Sequence, residues 1–506
     1  MGPYAPVINK ALLPYEGKAI LSHIMDGFPR GTKFVIALGH RGDQVRDYLT
    51  AAHPDDDITY VTVDNYDKPG SGPGYSIYCC REFLQQPFYF VAADTVATFD
   101  VRTGTDGNWA GVAMVAPIES ARLCNFTVGE MGFIDKIYDK QIPPGKDSVA
   151  GFVGLMFIRD YGLFWHALAT PETVAGEVQI SAGLKALVAA GTLRAREVGW
   201  KDFGILSDYR KYAIEPQPYD FSKTDEFIYF RAGRVIKFFS DARAAANRVE
   251  KAALYPGVMP HCEQIGEQFY FYEKIPGTVV YEQVTTDVFA QMLNWLHHQV
   301  WRPPGPHDPA RFATACHNFY VNKTRTRTEK FREKYPEWED PHTVNGEAVL
   351  PIAELLQIIP PAYVNDGVAR FIHGDLHFDN TIYDGEKFTL IDWRQDFGGE
   401  IAFGDWYYDL AKLLGGIWLN YDYIKHGLMH VTEKEAEIEI DFARRVQSLQ
   451  YEAMLRDYVT AQKLDWRRVQ TIVGLIYLNM APLHTAPFDK LCYALAQQTL
   501  TRALAS

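Results

Sequence analysis

The sequence has few features of membrane, metal-binding or nucleic-acid-binding proteins. Its six cysteines are scattered along 506 residues without a Cys-x-x-Cys pair, which disfavours a zinc site and is typical of reduced thiols. No apolar run approaches the length of a membrane span, and no signal peptide is visible. The net charge of −13 disfavours a nucleic-acid partner. We therefore expect a cytoplasmic protein without membrane insertion, whose oligomeric state the sequence leaves open.

The length of 506 residues predicts more than one domain, and the composition, 47% hydrophobic and 22% charged, is typical of globular chains. The residue pattern changes near a Pro-bearing segment at 215–219, which we interpret as a linker. We predict an N-terminal domain over 1–213 and a C-terminal domain over 214–506. Within the second domain, a small lobe is expected over about 218–275 and a helical large lobe over about 276–506.

The first half alternates between short apolar runs and helical patterns. This alternation predicts an α/β domain with a mostly parallel, Rossmann-like sheet. In such sheets ligands bind beyond the carboxyl ends of the strands, and Asp94 follows a predicted strand directly. The predicted strands are 33–39, 58–63 and 88–93, and the predicted helices are 42–50 and 74–84.

The second half predicts an α+β domain. Two β-rich runs around a glycine turn, 226–231 and 234–239, predict a hairpin, followed by a helix at 243–254 and a strand at 269–272. From Asp287 the chain is predicted mostly helical, with a β-like stretch around 375–393. The basic segment 323–330 is interpreted as a solvated helix face rather than a phosphate site.

The strongest motif is the segment from Phe371 to Asn380, followed by an apolar strand ending at Asp392. Phosphoryl transfer requires a carboxylate to orient the attacking hydroxyl and metal ions to neutralise the phosphates. Asp375 fits the first role, and Asn380 and Asp392 fit as metal ligands. His373 is interpreted as a support for this loop, whereas His377 could contact the substrate or be exposed.

Upstream residues complete this constellation. Lys237 lies in a predicted strand, where an ammonium needs an anion, and Glu250 on the next helix could pair with it. Such a pair positions a lysine on the α- and β-phosphates of a nucleotide. The segment containing Glu273 and Ile275 follows a predicted strand and is interpreted as a hinge whose backbone binds adenine.

These motifs resemble the aminoglycoside phosphotransferase and choline kinase superfamily, which has a protein-kinase-like fold. The resemblance implies ATP, Mg²⁺ and a small hydroxylated substrate. The segment Gly404–Ala411 resembles the helix start that follows the metal motif, and Asp405 is expected to cap this helix and brace the catalytic loop. No clear glycine-rich loop is present, only Ser222–Asp225. Three residues, Trp418, Tyr421 and Asp422, are candidates for substrate contact, although core packing is favoured for each of them.

The first domain resembles the nucleotidyltransferases that make NDP-sugars or CDP-choline. The resemblance implies catalysis with Lys10 on the phosphates, a metal held by Asp94 and Asp202, and a base-binding turn containing Gly74 and Ser76. It also implies that Glu177 and Lys140 contact the acceptor substrate. An acceptor phosphate would attack the α-phosphorus of an NTP, CTP or UTP being favoured, and release pyrophosphate.

Together the resemblances imply a bifunctional enzyme. The second domain would phosphorylate a sugar, polyol or amino alcohol, and the first would couple the phosphate to a nucleotide, giving a building block for a surface polysaccharide or lipid headgroup. The first strand and Gly-rich loop of the nucleotidyltransferases are not found before Lys10. A second reading follows from this departure: only the kinase is active, and the first domain binds a nucleotide or a partner.

Overall fold

A computed structural model describes residues 2–144, 148–170, 173–174, 176–213 and 223–504. The predicted linker, the start of the second domain at 214 and the start of its small lobe at 218 lie outside these residues. The chain forms two compact units. Unit 1 comprises Met1–Glu215, Thr224–Asp241 and Ile265–Phe271, and unit 2 comprises Pro216–Lys223, Ala242–Gln264 and Tyr272–Ser506.

Unit 1 contains short helices and many strands. Its helices are α1 (Ile20–Asp26), α2 (Gly42–Ala52), α3 (Pro73–Cys79), α4 (Pro117–Ser120), α5 (Tyr161–Ala169), α6 (Ser181–Ala189) and α7 (Leu206–Ala213). Its strands up to residue 202 are β1 (Pro14–Tyr15), β2 (Lys18–Ala19), β3 (Lys33–Leu38), β4 (Asp57–Thr62), β5 (Phe88–Val91), β6 (Thr95–Thr98), β7 (Asn108–Val115), β8 (Cys124–Val128), β9 (Ile134–Asp139), β10 (Val149–Ile158), β11 (Thr173–Val174), β12 (Glu177–Val178), β13 (Leu193–Glu197) and β14 (Gly199–Asp202).

The α/β class predicted for this region is confirmed, and its strand pairing is mixed. β3 pairs parallel with β4, and β13 pairs parallel with β7. In the six-stranded sheet of order β13-β7-β10-β8-β9, where β5 also pairs with β10, the remaining pairings are antiparallel. The sheet is therefore less parallel than expected. Short connections such as 129–133 between β8 and β9 join antiparallel neighbours, because a parallel pair needs a long crossover.

The hairpin expected in the small lobe of the second domain packs into the core of unit 1. Its strands are β15 (Glu226–Arg231) and β16 (Arg234–Phe239). The Tyr229 hydroxyl donates to the Leu12 carbonyl at 2.7 Å, and the Tyr229 ring lies 4.8 Å from that of Tyr48. Other hairpin residues in this core are Phe227, Ile236 and Phe238. The compact units therefore divide the chain in another way, and the domain bounds expected from the sequence stay a prediction.

Unit 2 is built mainly of helices. They are α8 (Ala242–Leu254), α9 (Val280–Gln283), α10 (Thr286–Trp295), α11 (Pro309–His317), α12 (Lys323–Lys334), α13 (Ile352–Ile358), α14 (Pro361–Asn365), α15 (Trp406–Trp418), α16 (Tyr421–Lys425), α17 (Ser448–Ala461), α18 (Trp466–Met480) and α19 (Phe488–Leu504). α18 and α19 are apolar along most of their length and buried, and the Tyr477 hydroxyl on α18 donates to the Gly415 carbonyl on α15 at 2.9 Å.

Short strands complete the fold. They are β17 (Glu263–Ile265) and β18 (Phe269–Glu273), which extend into unit 1, and β19 (Thr278–Val279), β20 (Thr343–Val344), β21 (Glu347–Ala348), β22 (Ala369–Arg370), β23 (Thr381–Tyr383), β24 (Phe388–Leu390), β25 (Gly404–Asp405), β26 (Met429–Lys434) and β27 (Glu437–Phe442). The expected β-like stretch is the β23–β24 hairpin. A further sheet of order β21-β20-β27-β26 was not predicted. No helix in the described part of the chain has the length and hydropathy of a membrane span.

Candidate active sites

One end of the β23–β24 hairpin carries the expected metal ligands of unit 2. The pairing continues past the strands, where the Ile391 N–H donates to the Asn380 carbonyl at 2.9 Å. Asn380 precedes β23 and Asp392 follows Ile391, so both lie at the same end. The Arg394 N–H donates to the His373 carbonyl at 3.1 Å. The backbone around Asp392 is therefore fixed to both ends of the loop between His373 and Asn380.

Asp375 lies within this loop and forms an ion pair. Its Oδ1 atom is 2.6 Å from the Lys412 ammonium on α15, and its side chain is 36% exposed. The Asn380 amide donates to the Asp375 carbonyl at 2.9 Å and approaches its Oδ2 atom at 3.5 Å. Burial acts to raise the pKa of Asp375, but the charges of Lys412, His377 and Arg394 outweigh it and hold this pKa well below its usual range. Asp375 is therefore a carboxylate at neutral pH.

Asn380 and Asp392 carry side-chain oxygens of the type that Mg²⁺ prefers as ligands. The Asn380 Nδ2 atom makes the contacts to Asp375 and His377, which turns its Oδ1 oxygen to the other side of the amide. Asp392 adopts a left-handed backbone with φ +58°, a conformation that costs a residue with a Cβ about 1 kcal/mol. Mg²⁺ prefers oxygen ligands and is usually held by one or two carboxylates together with nucleotide phosphates.

His373 supports the loop that carries Asp375, and its hydrogen bonds define one tautomer of its imidazole ring. Its Nδ1 atom accepts from the Asp375 N–H at 3.1 Å, so its Nε2 atom carries the proton and donates to the Ile391 carbonyl at 2.8 Å. The side chain is fully buried. Burial lowers the pKa of His373 to about 3, so the imidazole is neutral. The geometry is that of a loop support rather than a proton donor to substrate.

Asp409 is a buried support of the same loop that sequence reasoning did not single out. Its Oδ2 atom accepts from the His373 N–H at 2.8 Å and from the Trp301 indole N–H at 3.0 Å. Its Oδ1 atom accepts from the Gly374 N–H at 2.7 Å. The two backbone donors belong to the two residues before Asp375, so Asp409 fixes the loop that carries Asp375. Its spacing of four residues from the helix-capping Asp405 was the available signal.

Helix α8 supports the loop from another side. The Lys251 ammonium is buried and donates to the Arg394 carbonyl at 3.0 Å and the His373 carbonyl at 3.4 Å. Tyr255 accepts from the Ile372 N–H at 2.9 Å. Burial lowers the pKa of Lys251 to about 7, although the nearby Asp409 carboxylate opposes this shift.

The buried Lys251 ammonium predicts a pH-dependent stability. An unfolded lysine has a pKa of about 10.4, so between the two values the unfolded chain binds more protons and stability rises with pH. At about 1.4 kcal/mol per pH unit, the gain from pH 7 to pH 9 is about 2 kcal/mol. Lys251→Met should remove this gain in unfolding measurements at the two pH values, whereas Lys330→Met at an exposed position should retain it. An equal pH dependence in all three proteins would contradict the prediction.

Other side chains singled out in the sequence lie on this loop or on helices of unit 2. The His377 ring lies 6.0 Å from the Tyr421 ring, and its Nε2 atom is 3.0 Å from the Asn380 amide. The Trp418 indole donates to Glu452 at 2.7 Å. The predicted capping role of Asp405 is confirmed, because its carboxylate accepts from the Tyr407 N–H at the start of α15.

The expected nucleotide-binding residues lie in different parts of the fold. Lys237 is 4% exposed in β16 of unit 1, whereas Glu250 is exposed on α8 of unit 2. Their pairing stays a prediction. Glu273 is the last residue of β18, and Ile275 follows in the connection to β19. The adenine-binding role of this connection also stays a prediction.

Unit 1 brings together three of its expected site residues. The Lys10 ammonium lies 2.6 Å from the Asp94 carboxylate, which is 20% exposed. β14 pairs with β6 so that Asp202 lies opposite Thr95, next to Asp94. A Cβ on Gly204 would lie 3.0 Å from an Asp202 oxygen and 3.1 Å from an Asp94 oxygen, so both carboxylates converge on this glycine.

Arg122 is a further charged residue at this place that sequence reasoning missed. Its guanidinium lies 3.0 Å from Asp202 and 2.9 Å from Asp208. Burial raises the pKa of Asp202, as does the charge of Asp94, while Arg122 opposes the shift. Arg122 lies between β7 and β8 without a recognisable motif, which is why the sequence did not indicate it.

A second group in unit 1 joins the expected base-binding turn to the expected substrate residues. A Cβ on Gly74 would lie 2.6 Å from the Gln179 carbonyl carbon, so only glycine permits this approach. The Ser76 hydroxyl donates to the Gly72 carbonyl at 3.1 Å. Lys140 and Glu177 form an ion pair at 3.3 Å, and both are about half exposed.

Each of the two candidate sites has few acidic side chains. Within the described ranges, no three His, Cys, Asp or Glu side chains form a cluster that could hold a metal by themselves. Sites with one or two carboxylates instead suit Mg²⁺ that is shared with nucleotide phosphates. Asp392 with Asn380 in unit 2, and Asp94 with Asp202 in unit 1, have this composition.

Comparison with known proteins identifies the class of the C-terminal part. Residues 233–445 match the model of the phosphotransferase enzyme family, APH. This segment includes Asp375, Asn380, Asp392 and Lys412. This part of the chain is similar to the kinase-like phosphotransferases, and the resemblance recognised from the motif is confirmed.

Solved structures of sugar nucleotidyltransferases align with the N-terminal part. A glucose-1-phosphate thymidylyltransferase from Bacillus anthracis is 18% identical, with a TM-score of 0.36, over 44% of this chain and 93% of that chain. A UDP-glucose pyrophosphorylase with UDP-glucose and an apo UDP-glucose pyrophosphorylase are each 15% identical. Their TM-scores are 0.35 and 0.36, and they cover 41% and 42% of this chain and 90% and 92% of their own. No curated protein matches significantly.

Proposed function

We propose that unit 2 transfers the γ-phosphate of ATP to a hydroxyl group of a small molecule in the cytoplasm. The observation that carries this proposal is that Asn380 contacts Asp375 within one loop and that Asp392 follows β24 at the same end of the hairpin. The hydrogen bonds of His373 and Asp409 hold that loop in place. This arrangement has the parts that phosphoryl transfer needs, since its catalysis depends on positioning and on charge neutralisation.

In the proposed reaction, the Asp375 carboxylate accepts a hydrogen bond from the substrate hydroxyl and orients it. The hydroxyl oxygen attacks the γ-phosphorus, the bond between that phosphorus and the β–γ bridging oxygen breaks, and ADP leaves with the electron pair. The hydroxyl proton passes to Asp375. Lys412 fixes the carboxylate at 2.6 Å and keeps it ionised before the reaction. Asn380 and Asp392 would hold Mg²⁺, which when bound neutralises the β- and γ-phosphates.

ADP release tests this function. The acceptors are choline, ethanolamine, glycerol, ribitol, hexoses, hexosamines and their acidic derivatives, each with Mg²⁺ and with EDTA. The expected result is ADP formation with one acceptor class that stops when EDTA is added. ADP formation at the same rate without any acceptor would instead show an ATPase.

We further infer that unit 1 transfers a nucleotidyl group to the phosphorylated product. Supporting this, two carboxylates, Asp94 and Asp202, converge on Gly204, with Lys10 at 2.6 Å from Asp94. Two carboxylates on one Mg²⁺ could align an acceptor phosphate with the α-phosphate of CTP or UTP. The product would be an NDP-linked building block for a surface polysaccharide or lipid headgroup.

Pyrophosphate release tests the second function. With the phosphorylated acceptor and each NTP, the full chain should release pyrophosphate, and Asp94→Asn should reduce the rate by at least about a hundredfold because the metal loses a charged ligand. ADP formation by the kinase should be unchanged in this variant. Nucleotide binding without pyrophosphate release would favour the alternative reading, in which unit 1 is a binding module.

A further inference from the structure

A small cavity in unit 2 lies beside the catalytic carboxylate. Its volume is about 100 Å³, and its walls come from α12, α15, α18, the segment before α12, the segment after β24 and the segment after α18. Lys412, which contacts Asp375 at 2.6 Å, lines this cavity. The cavity is therefore close enough to Asp375 to hold a second group of the molecule whose hydroxyl faces this carboxylate.

The cavity is lined by four cationic side chains, Lys323, Arg327, Arg394 and Lys412, and none of the lining residues is acidic. The nearby carboxylate of Asp375 is already paired with Lys412. The segment 323–330 is thus not only a solvated helix face, because two of its cations point into a cavity. Arg394 and Lys412, from elsewhere in the chain, complete a cationic lining that suits an anion.

The positively charged forms of the basic side chains that line this cavity repel one another. Burial lowers the pKa of Lys323 to about 6, and the charges of Arg394, Arg327 and Lys412 add to that shift while Asp375 opposes it. Burial and the charge of Arg394 also lower the pKa of Arg327. The Lys323 ammonium lies 4.1 Å from the centre of the Phe319 ring, a contact that retains part of its charge stabilisation. A bound anion would relieve this repulsion, since close opposite charges in a buried site attract strongly.

We propose that the hydroxyl substrate of the kinase carries an acid group, a carboxylate or a phosphate, which binds between Lys323, Arg327 and Arg394. The inference rests on the proposed kinase function and names its substrate class. Guanidinium groups suit both anions because their N–H donors match two anion oxygens at once. A substrate with an amine or a quaternary ammonium would meet the guanidinium charges of Arg327 and Arg394 here and is disfavoured. Choline and the amino sugars therefore become poor candidates.

Matched acceptors test the inference. Glucose is compared with glucuronate, glucose 6-phosphate and glucosamine, and glycerol with glycerate, glycerol 3-phosphate and choline. ADP formation is measured for each, and binding is measured separately by calorimetry. We expect binding and ADP formation with an acidic member of a series and little with its neutral or cationic relatives. The carboxylate and phosphate arms show which acid group is used.

Two variants locate the binding site. Lys323→Gln and Arg327→Gln should each raise the KM for the acidic acceptor about ten- to a hundredfold, because a hydrogen bond to a charged group is lost. Arg325→Gln, at an exposed position of the same helix that does not line the cavity, should have no effect. The KM for ATP should be unchanged in all three. A raised KM for ATP alone would mean that the cations bind ATP phosphates, and would overturn the inference.

The possible results distinguish an error in the proposed substrate class from an error in the proposed kinase function. ADP formation with a neutral or cationic acceptor, but not with its acidic relative, would overturn the inference and leave the kinase function standing. If no acceptor supports ADP formation, the kinase function is contradicted for these compounds. Calorimetry then still decides the inference: acid binding that is lost in Arg327→Gln supports an anion site, and failure of every acidic compound to bind overturns it.

Discussion

Replacing Asp375 with Asn is expected to lower the rate of ADP formation about a thousandfold, within the range of a lost general base. The amide keeps the size of the side chain, but it cannot take the hydroxyl proton, and it loses the ion pair with Lys412. Binding of Mg·ATP should persist, because Asn380 and Asp392 are unchanged. The measurement is steady-state ADP release, with the dissociation constant of Mg·ATP determined by calorimetry.

Asp379→Asn is the matched control for this variant. Asp379 lies in the same loop and its side chain is 39% exposed, with an oxygen 3.6 Å from His377. The rate of ADP formation by Asp379→Asn should stay within about twofold of the wild-type rate, because exposed ion pairs contribute little. Equal rates for Asp375→Asn and the wild type would show that another group orients the hydroxyl.

Asp409→Leu is expected to lower the stability of unit 2 by about 3 kcal/mol or more. The substitution leaves the buried N–H groups of His373, Gly374 and Trp301 without their acceptor, and each buried donor left unpaired costs about 1–3 kcal/mol. The melting temperature should fall by several degrees or more.

The melting temperature of Asp409→Asn should lie between those of Asp409→Leu and the wild type, because the amide oxygen can still accept a hydrogen bond. Asp422→Asn, at an exposed carboxylate on α16, should melt like the wild type. An unchanged melting temperature for Asp409→Leu would mean that the loop does not depend on this carboxylate, and the account of how Asp375 is positioned would be wrong.

The proximity of the three candidate residues in unit 2 could be predicted because they are close in sequence. Asp375 and Asn380 are five residues apart, and Asp392 follows the next strand, so one hairpin brings them to the same end. The carboxylates of unit 1 could be predicted for a related reason, since each follows or ends a short strand. Both predictions depend on the order of strands and loops along the chain, which the hydrophobic pattern of the sequence indicates.

The cationic cavity could not be predicted in this way. Lys323 and Lys412 lie on helices separated by about ninety residues, and only tertiary packing brings them together. On α12 alone, charged residues surround the helix, and the pattern does not distinguish a side chain that faces a cavity from one that faces water. Lys412 had a weak local signal, since it follows Asp409 by three residues on the same helix.

Nor could the packing of the β15–β16 hairpin be predicted. Its sequence pattern indicates two strands and a turn, but not which core receives their apolar side chains. Tyr229 packs on Tyr48 and donates to Leu12, so residues more than 180 positions earlier complete this core. The sequence pattern therefore does not show that this hairpin belongs to the first compact unit.

The most direct test of the central claim is transfer of a labelled phosphoryl group. The full chain is incubated with Mg²⁺, ATP labelled with ¹⁸O in its γ-phosphate, and the acceptor panel, and products are analysed by mass spectrometry. The account predicts a phosphorylated acceptor that retains the ¹⁸O label and is absent with Asp375→Asn. Label found only in inorganic phosphate, or a labelled product formed equally by Asp375→Asn, would contradict it.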